Sequence, residues 1–359
     1  MKYYDVPISQ TFMRKVILPN LKRLRMFENK KILITGGTGS LGTALTAKLL
    51  KENVDTIRIF SRDELKQSQM ESHFNDKRLR FLIGDVRDKE RLEKAVEDVN
   101  IVIHTAALKQ VPAVEYNPFE AIKTNVQGAQ NIVEACLEKD VGFALAVGTD
   151  KAVSPFNTYG ATKLLMERLF VSANYYKGEH RTKFSCVRYG NVLGSRGSII
   201  PKFIEQITSG NKITITDPNM TRFNITMDQA IDLIFRVIKN TVGGDVHIPK
   251  LDAYKVGDMK DVLLDLMDCK NEEKRIPVRI GEKYHEILIN EHEIRNTYEN
   301  QDNDYVIYEN QLTKDHSKNI PNSKETTLTT EYSSDKVKLV SKKELKEVII
   351  KQNLIPKSY

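Results

Sequence analysis

The chain has 359 residues, 40% of them hydrophobic and 29% charged, with a net charge of +7 and a pI near 9.0. That length suits one large α/β domain plus a smaller part, and the composition excludes a disordered or fibrous chain. No apolar run approaches the ~20 residues of a membrane span and residues 1–10 lack a signal-peptide core, so a cytoplasmic protein without membrane insertion is expected.

Residues 1–27 precede the first predicted strand and carry Arg14, Lys15, Lys22, Arg23 and Arg25. They read either as an extension forming a short amphipathic helix, or as sequence upstream of a true start at Met26. Both readings stay open. From there, short apolar runs predict strands at 31–35, 56–61, 79–83, 101–104, 143–147 and 184–188. Helical periods fall between them at 42–52, 89–96, 117–138 and 159–176. Strands alternating with helices predict parallel strands with right-handed crossovers, a doubly wound sheet over residues 28–190. Ligands in such sheets bind at the carboxyl ends of the strands.

After residue 190 the elements shorten, and residues 191–359 read mostly as a smaller, substrate-facing part. The polar stretch 297–335 predicts a mobile loop near 314–327, and a last helix is expected at 341–352. Cys136, Cys186 and Cys269 show no metal-ligand spacing and read as reduced. The basic charge is dispersed without interleaved aromatics, so nucleic acid is not an expected partner.

Gly36-Gly37-Thr38-Gly39-Ser40-Leu41-Gly42 follows the first strand and opens a helix. Glycines there let the backbone approach a pyrophosphate, while the helix N–H groups point at it. The motif alone would also suit a tight turn, but its βαβ context supports a dinucleotide. The second strand ends Ser61-Arg62-Asp63-Glu64-Leu65-Lys66. Ser61, Arg62 and Lys66 suit a 2′-phosphate, which favours NADP, while Asp63 keeps NAD open. Asp85-Val86 is placed to touch the adenine, although Asp85 also suits a turn or a helix N-cap. Ala106 and Ala107 leave room for a cofactor. His104 reads as a buried wall residue rather than a catalyst.

Tyr159 and Lys163 are i and i+4 on a predicted helix, so they share a face. A lysine near a phenol would lower its pKa and let the phenolate take a proton from an alcohol. Thr149-Asp150-Lys151 ends the preceding strand. It adds an acid and a base that plain alcohol oxidation does not need; the alternative is a loop ion pair.

These motifs resemble the extended short-chain dehydrogenase/reductase family. Within it, Ser61 to Lys66, Ala106-Ala107-Leu108-Lys109, Thr149 to Ala152, Tyr159-Gly160-Ala161-Thr162-Lys163, Arg188-Tyr189-Gly190-Asn191-Val192 and Glu331-Tyr332-Ser333-Ser334 look like the inverting UDP-N-acetylglucosamine 4,6-dehydratases of surface-sugar synthesis. The resemblance implies a UDP-N-acetylglucosamine substrate. Tyr159, assisted by Lys163, would deprotonate the C4 hydroxyl as hydride leaves for NADP. Lys151, its pKa lowered by desolvation and Lys163, would remove the C5 proton, and Asp150 would protonate the departing C6 hydroxyl. Thr149 would hold the C4 oxygen. Asn125 is expected near the cofactor. Lys109 would lie near cofactor and sugar, and Asn191, Arg222, Arg279 and Glu282 would hold the substrate, although either arginine also suits a solvated surface.

Two departures from the family pattern are Ile280, where proline is usual, and Gly148, where serine is common. The resemblance also implies a homo-oligomer built through helices flanking the sheet. A UDP-sugar 4-epimerase, a C5-retaining dehydratase and, more remotely, a non-catalytic NADP-binding regulator are the competing readings.

Overall fold

Lys31–Thr35 forms β1, and every residue after Lys31 is buried. Such uninterrupted burial requires cover on both faces, as in a parallel sheet. The computed structural model describes residues 26–308 and 323–356. The basic segment 1–25 and residues 314–322 of the expected loop lie outside them.

Helix α1 (Ser40–Leu49) follows β1, then β2 (Thr56–Ser61), α2 (Glu64–Phe74), β3 (Leu79–Ile83), α3 (Lys89–Val96) and β4 (Ile101–His104). A helical turn at Pro118–Ala121 and a π-helical turn at Ile122–Gln127 lead into α4 (Gly128–Glu138). Then come β5 (Phe143–Val147), a 3₁₀ turn at Asp150–Ala152, α5 (Thr158–Tyr176) and β6 (Lys183–Val187). Five of the six expected strands coincide with the observed ones; β6 starts and ends one residue early. Helix α1 starts at Ser40 rather than 42, because Gly39 is its extended N-cap.

The chain continues through α6 (Ile199–Thr208), β7 (Ile213–Ile215), β8 (Thr221–Phe223), α7 (Met227–Asn240), β9 (Asp245–Ile248), β10 (Ala253–Lys255), α8 (Val256–Leu266), β11 (Glu273–Arg275), β12 (Ile287–Ile289), β13 (Thr297–Asn300), β14 (Tyr305–Tyr308), β15 (Ser323–Glu325), β16 (Tyr332–Ser333) and α9 (Lys342–Lys351). Ser323–Glu325 of the expected loop is thus a strand, paired antiparallel with β13. The main sheet among the described residues runs β15-β13-β14-β9-β6-β5-β4-β1-β2-β3. From β3 to β9 the strands are parallel, and β14, β13 and β15 add antiparallel partners. The order reverses between β1 and β4, which opens the crevice where such folds bind ligands.

Phe27, Ile32, Leu33, Ile34, Leu45, Ile103, Phe170 and Phe184 are fully buried in the main core. Each side chain of this kind contributes about 1.5–3 kcal/mol relative to exposure. Phe27 packs edge-on to Phe235 of α7, with centroids 4.7 Å apart. A second core, around Phe203, Met259 and Leu263, joins α6, α8 and α9. No helix among the described residues is long and apolar enough to cross a membrane. The three cysteines are free.

Candidate active site

The glycine turn leaves room beside it only because it lacks side chains. A β-carbon at Gly36, whose φ is +66°, would lie 2.8 Å from the Ala106 backbone, and one at Gly42 would lie 2.4 Å from the Gly37 carbonyl oxygen. Helix α1 has no acidic residue in its first turn and no side-chain cap, so its N–H groups face the cleft unopposed. The positive end of the helix dipole adds to that anion-binding character.

A cavity of about 600 Å³ runs along this crevice. Gly36, Thr38, Gly39, Ser40, Leu41, Ser61, Arg62, Lys66, Asp85, Val86, Ala106, Lys109, Tyr159 and Lys163 all line it. Gly42 lies behind the turn, packed on Gly37. Asn125 is also absent from the wall. Its amide brackets the Leu108 backbone, accepting from the N–H at 2.8 Å and donating to the carbonyl at 2.9 Å. Its role is to shape the loop after β4. The Thr124 hydroxyl lines the cavity, buried and unpartnered. Glycine cradle, open helix end and orphaned hydroxyl together fit a dinucleotide.

At the adenosine end, Gln67 Nε2 donates to Ser61 Oγ at 3.0 Å and fixes it. Arg62 lies 3.5 Å from Asp85. Asp63 caps α2, accepting from the Lys66 N–H, and also pairs with the Lys66 ammonium. Asp85 accepts from the Arg87 backbone and guanidinium, so its turn role is real. His104 is the expected wall residue: fully buried, 2.7 Å from Thr35 Oγ1, its pKa pushed down to about 3 by burial and by Lys163.

A second cavity, of about 260 Å³, adjoins the first. Lys109, Thr149, Tyr159 and Asn191 line both. Lys151, Arg222, Arg279, Glu282 and Glu286 line the second. Arg222 is buried: Nη1 donates to the Thr221 and Tyr284 carbonyls, and Nη2 lies 3.6 Å from Glu282. Arg279 projects from an exposed turn whose N–H donates to Glu282 at 3.3 Å. Ile280, the residue that replaces proline, is exposed and lines the second cavity beside Arg279.

Thr149 lines both cavities and Lys151 the second, while Asp150 between them lies buried behind the wall and lines neither. Thr149 donates to Asp150 Oδ1 at 2.8 Å and hydrogen-bonds the Tyr159 phenol. Lys151 Nζ lies 3.1 Å from Asp150, 3.2 Å from Glu286 and 3.2 Å from Asn191 Oδ1. Asp150 is buried, and so is Glu286, which excludes a solvated loop pair. Burial and the nearby Glu286 charge raise the Asp150 pKa.

Two expectations about protonation need correction. Burial disfavours the Lys151 ammonium, but the Asp150 and Glu286 carboxylates outweigh it and hold its pKa above the usual lysine value. Tyr159 is pushed up to about 12, chiefly by burial, and the cation that opposes this is Lys151. Lys163 instead donates to the Val147 carbonyl at 2.7 Å, and burial lowers its pKa to about 8.

Sequence reasoning missed four positions. Glu286 lies four residues past Glu282, yet nothing in that spacing reveals its burial. Arg196 reaches back to Ser40 Oγ at 3.3 Å and to the Thr38 carbonyl, closing over the glycine turn. Its signal is the pair of flanking glycines, Gly194 and Gly197, both with positive φ. Gly160 and Gly190 let backbone press on the Asp150–Ala152 turn. Gly148 has a local reason too, since a β-carbon there would lie 2.7 Å from the Val187 carbonyl oxygen.

The model of a family described as polysaccharide biosynthesis protein matches residues 32–308. The chain belongs to this family, within the extended short-chain dehydrogenases/reductases. It is 49% identical to a UDP-N-acetylglucosamine 4,6-dehydratase (inverting) of Campylobacter jejuni over 76% of this chain and 81% of that one. It is 38% identical to a UDP-glucose 4-epimerase of Rickettsia massiliae, over 90% and 96% respectively. Among solved structures, Pen from Bacillus thuringiensis superposes with a TM-score of 0.86 at 38% identity, covering 92% of this chain and 99% of that one. The solved structure shares the doubly wound fold, and the relatives' names support an enzyme of the short-chain dehydrogenase/reductase family.

Proposed function

We propose that the protein is a UDP-N-acetylglucosamine 4,6-dehydratase that inverts C5, forming a 4-keto-6-deoxy UDP-sugar of L configuration. The observation that carries this is the Asp150–Lys151 couple, 3.1 Å apart, next to Thr149 and Tyr159, which line both cavities. A simple C4 epimerisation has no use for an acid and a base at C5 and C6.

A bound nicotinamide dinucleotide, NADP by preference, supplies the hydride acceptor for C4 and the hydride returned to C6. The residues that would hold it are the glycine turn, Ser61, Arg62, Lys66, Val86, Ala106 and Lys163. Tyr159 takes the proton of the C4 hydroxyl once its phenol has released its own, an ionisation that the Lys151 cation favours against burial, and Thr149 orients both the phenol and the C4 oxygen. The resulting ketone acidifies the C5 proton. Lys151 removes it while Asp150, whose raised pKa suits a donor, protonates the departing C6 hydroxyl. Arg222 and Arg279 hold the diphosphate, with Glu282, Asn191 and Lys109 completing the substrate side. Tyr116, Phe119, Ile122 and Leu165 are exposed apolar side chains on helical segments that contact one another, which supports a homo-oligomer.

Anaerobic incubation with UDP-N-acetylglucosamine in D2O, read by mass spectrometry and proton NMR, tests the reading. Loss of one water with deuterium at C5 and an L-configured product is expected. The epimerase reading is favoured by the Rickettsia relatives' longer coverage, and it predicts unchanged mass with a shifted C4 proton. A D-configured keto sugar would mean retention.

A further inference from the structure

Arg279 stands on a turn that burial does not hold. Every residue from Pro277 to Ile280 is exposed. Bonds to the segment that carries the acid, the base and the phenol place the turn instead. Asn157 Nδ2 donates to the Gly281 carbonyl at 2.7 Å. The Oδ1 of the same side chain accepts the Gly160 N–H at 2.7 Å and so caps α5, two residues before Tyr159. The approach is close enough to demand glycine: φ at Gly281 is +76°, and a β-carbon there would lie 2.5 Å from Asn157 Cβ.

A second bond lies two residues on. Lys283 is half-buried and lines the second cavity, yet its Nζ donates to a backbone carbonyl, that of Val153, at 2.5 Å. Val153 closes the Asp150–Ala152 turn, its N–H donating to the Asp150 carbonyl at 3.1 Å. The next carbonyl along, that of Tyr284, accepts from Arg222 Nη1 at 3.1 Å. One short stretch of backbone thus joins both arginines to the turn that carries Asp150 and Lys151.

We propose that Asn157 and Lys283 are positioning residues: they clasp the turn that carries Arg279 to the segment that carries Asp150, Lys151 and Tyr159, so that a diphosphate held at Arg279 sets where the sugar lies over them. This rests on the dehydratase reading above. The diphosphate takes no part in the chemistry. Its binding energy reaches the rate only if the arginine that holds it keeps a fixed place relative to the reacting groups. With the clasp cut, the diphosphate still binds, but the sugar is no longer held in register. Neither residue touches the reacting atoms in this scheme; each acts through the backbone it grips.

The test is a double-mutant cycle, Asn157→Asp against Arg279→Ala, on the full-length, cofactor-loaded enzyme. Water loss from UDP-N-acetylglucosamine and calorimetric binding of UDP are the two readouts. Aspartate keeps the acceptor that caps α5 but has no N–H for Gly281. Asn157→Asp should lower kcat for water loss about 30-fold, with KM and the UDP dissociation constant within about threefold of wild type. Arg279→Ala alone should weaken UDP about tenfold and lower kcat about tenfold. In the Asn157→Asp background it should still weaken UDP about tenfold but change kcat by less than about twofold, because the link is already cut. Asn157→Ser, a cap without the added charge, should show the same split, and so should Lys283→Met. Lys283→Arg, which can still donate, should keep at least about a third of the wild-type kcat. Losses in kcat that multiply across the cycle overturn the proposal. So does UDP binding that falls in step with kcat in Asn157→Asp and Asn157→Ser, which means that Asn157 only shapes the phosphate site. Wild type that returns a C4 epimer of unchanged mass overturns the dehydratase reading, and the clasp's service to Asp150 and Lys151 with it.

Discussion

Gly160 sits so close to Lys151 that a β-carbon on it would lie 2.1 Å from the Lys151 carbonyl oxygen. The first turn of α5 is therefore pressed onto the backbone that carries the proposed base, one residue from Tyr159. Because the obstacle is backbone, it cannot swing aside as a side chain would.

Gly160→Ala should therefore displace the Asp150–Ala152 turn. Water loss is expected to fall by ~100-fold, since displacement near 1 Å costs that much in a positioned site. Dinucleotide binding should change by less than about threefold, because the glycine turn is remote from the change. Full activity in this variant would show that the turn is more compliant than its packing implies.

Cofactor choice is addressed by Arg62, whose guanidinium stands at the adenosine end of the long cavity. Arg62→Ala should weaken NADP+ binding by about tenfold or more and NAD+ binding by less than about threefold. Calorimetry on stripped protein makes the comparison. Equal weakening of both would mean that the 2′-phosphate is not read there.

Leu165 and Phe119, on two helical segments that contact each other, are 50% and 74% accessible. Replacing both by glutamate should reduce the sedimenting species to the monomer mass of 41.1 kDa with the far-UV spectrum unchanged. An unchanged sedimentation coefficient would place the subunit interface elsewhere.

His104 makes stability depend on acid. Its folded pKa is about 3, against 6.5 unperturbed, so the unfolded chain binds the extra proton between those values. Stability from this group is complete above pH ~6.5 and is lost as pH falls towards ~3. At pH ~4.5 the loss is about 3 kcal/mol by linkage. His104→Asn should flatten that part of the profile in urea titrations at pH ~7 and ~4.5. An identical acid slope in both proteins would rule the histidine out as its source.

The strands were legible because a parallel sheet buries both faces, and unbroken apolar runs such as Ile101 to Ile103 announce it. Helix 117–138 was less so. Its π turn inserts extra backbone at Ile122–Gln127 without disturbing composition, and it turns Asn125 towards the Leu108 backbone instead of the cofactor wall. Edge strand β15 is polar and half exposed, so its residues read as loop. Motif spacing located Asp150, Lys151, Tyr159 and Lys163. It could not give their protonation, because that depends on Glu286, which lies 135 positions beyond Lys151. Long-range charge placement leaves no local pattern.

Arg188 has a consequence for dissecting the protein. Fully buried, it grips Glu167 of α5 and both Glu293 and the Leu288 carbonyl of the C-terminal region. On the other side, β9 pairs with β6 and carries β14, β13 and β15 onward. A fragment ending near residue 190 would bare the β6 edge and leave a guanidinium in apolar surroundings facing only one of its acids. Neither half is a transplantable cassette. Exchange of substrate preference between relatives must therefore proceed by single positions around Arg222 and Arg279, not by grafting one region onto another.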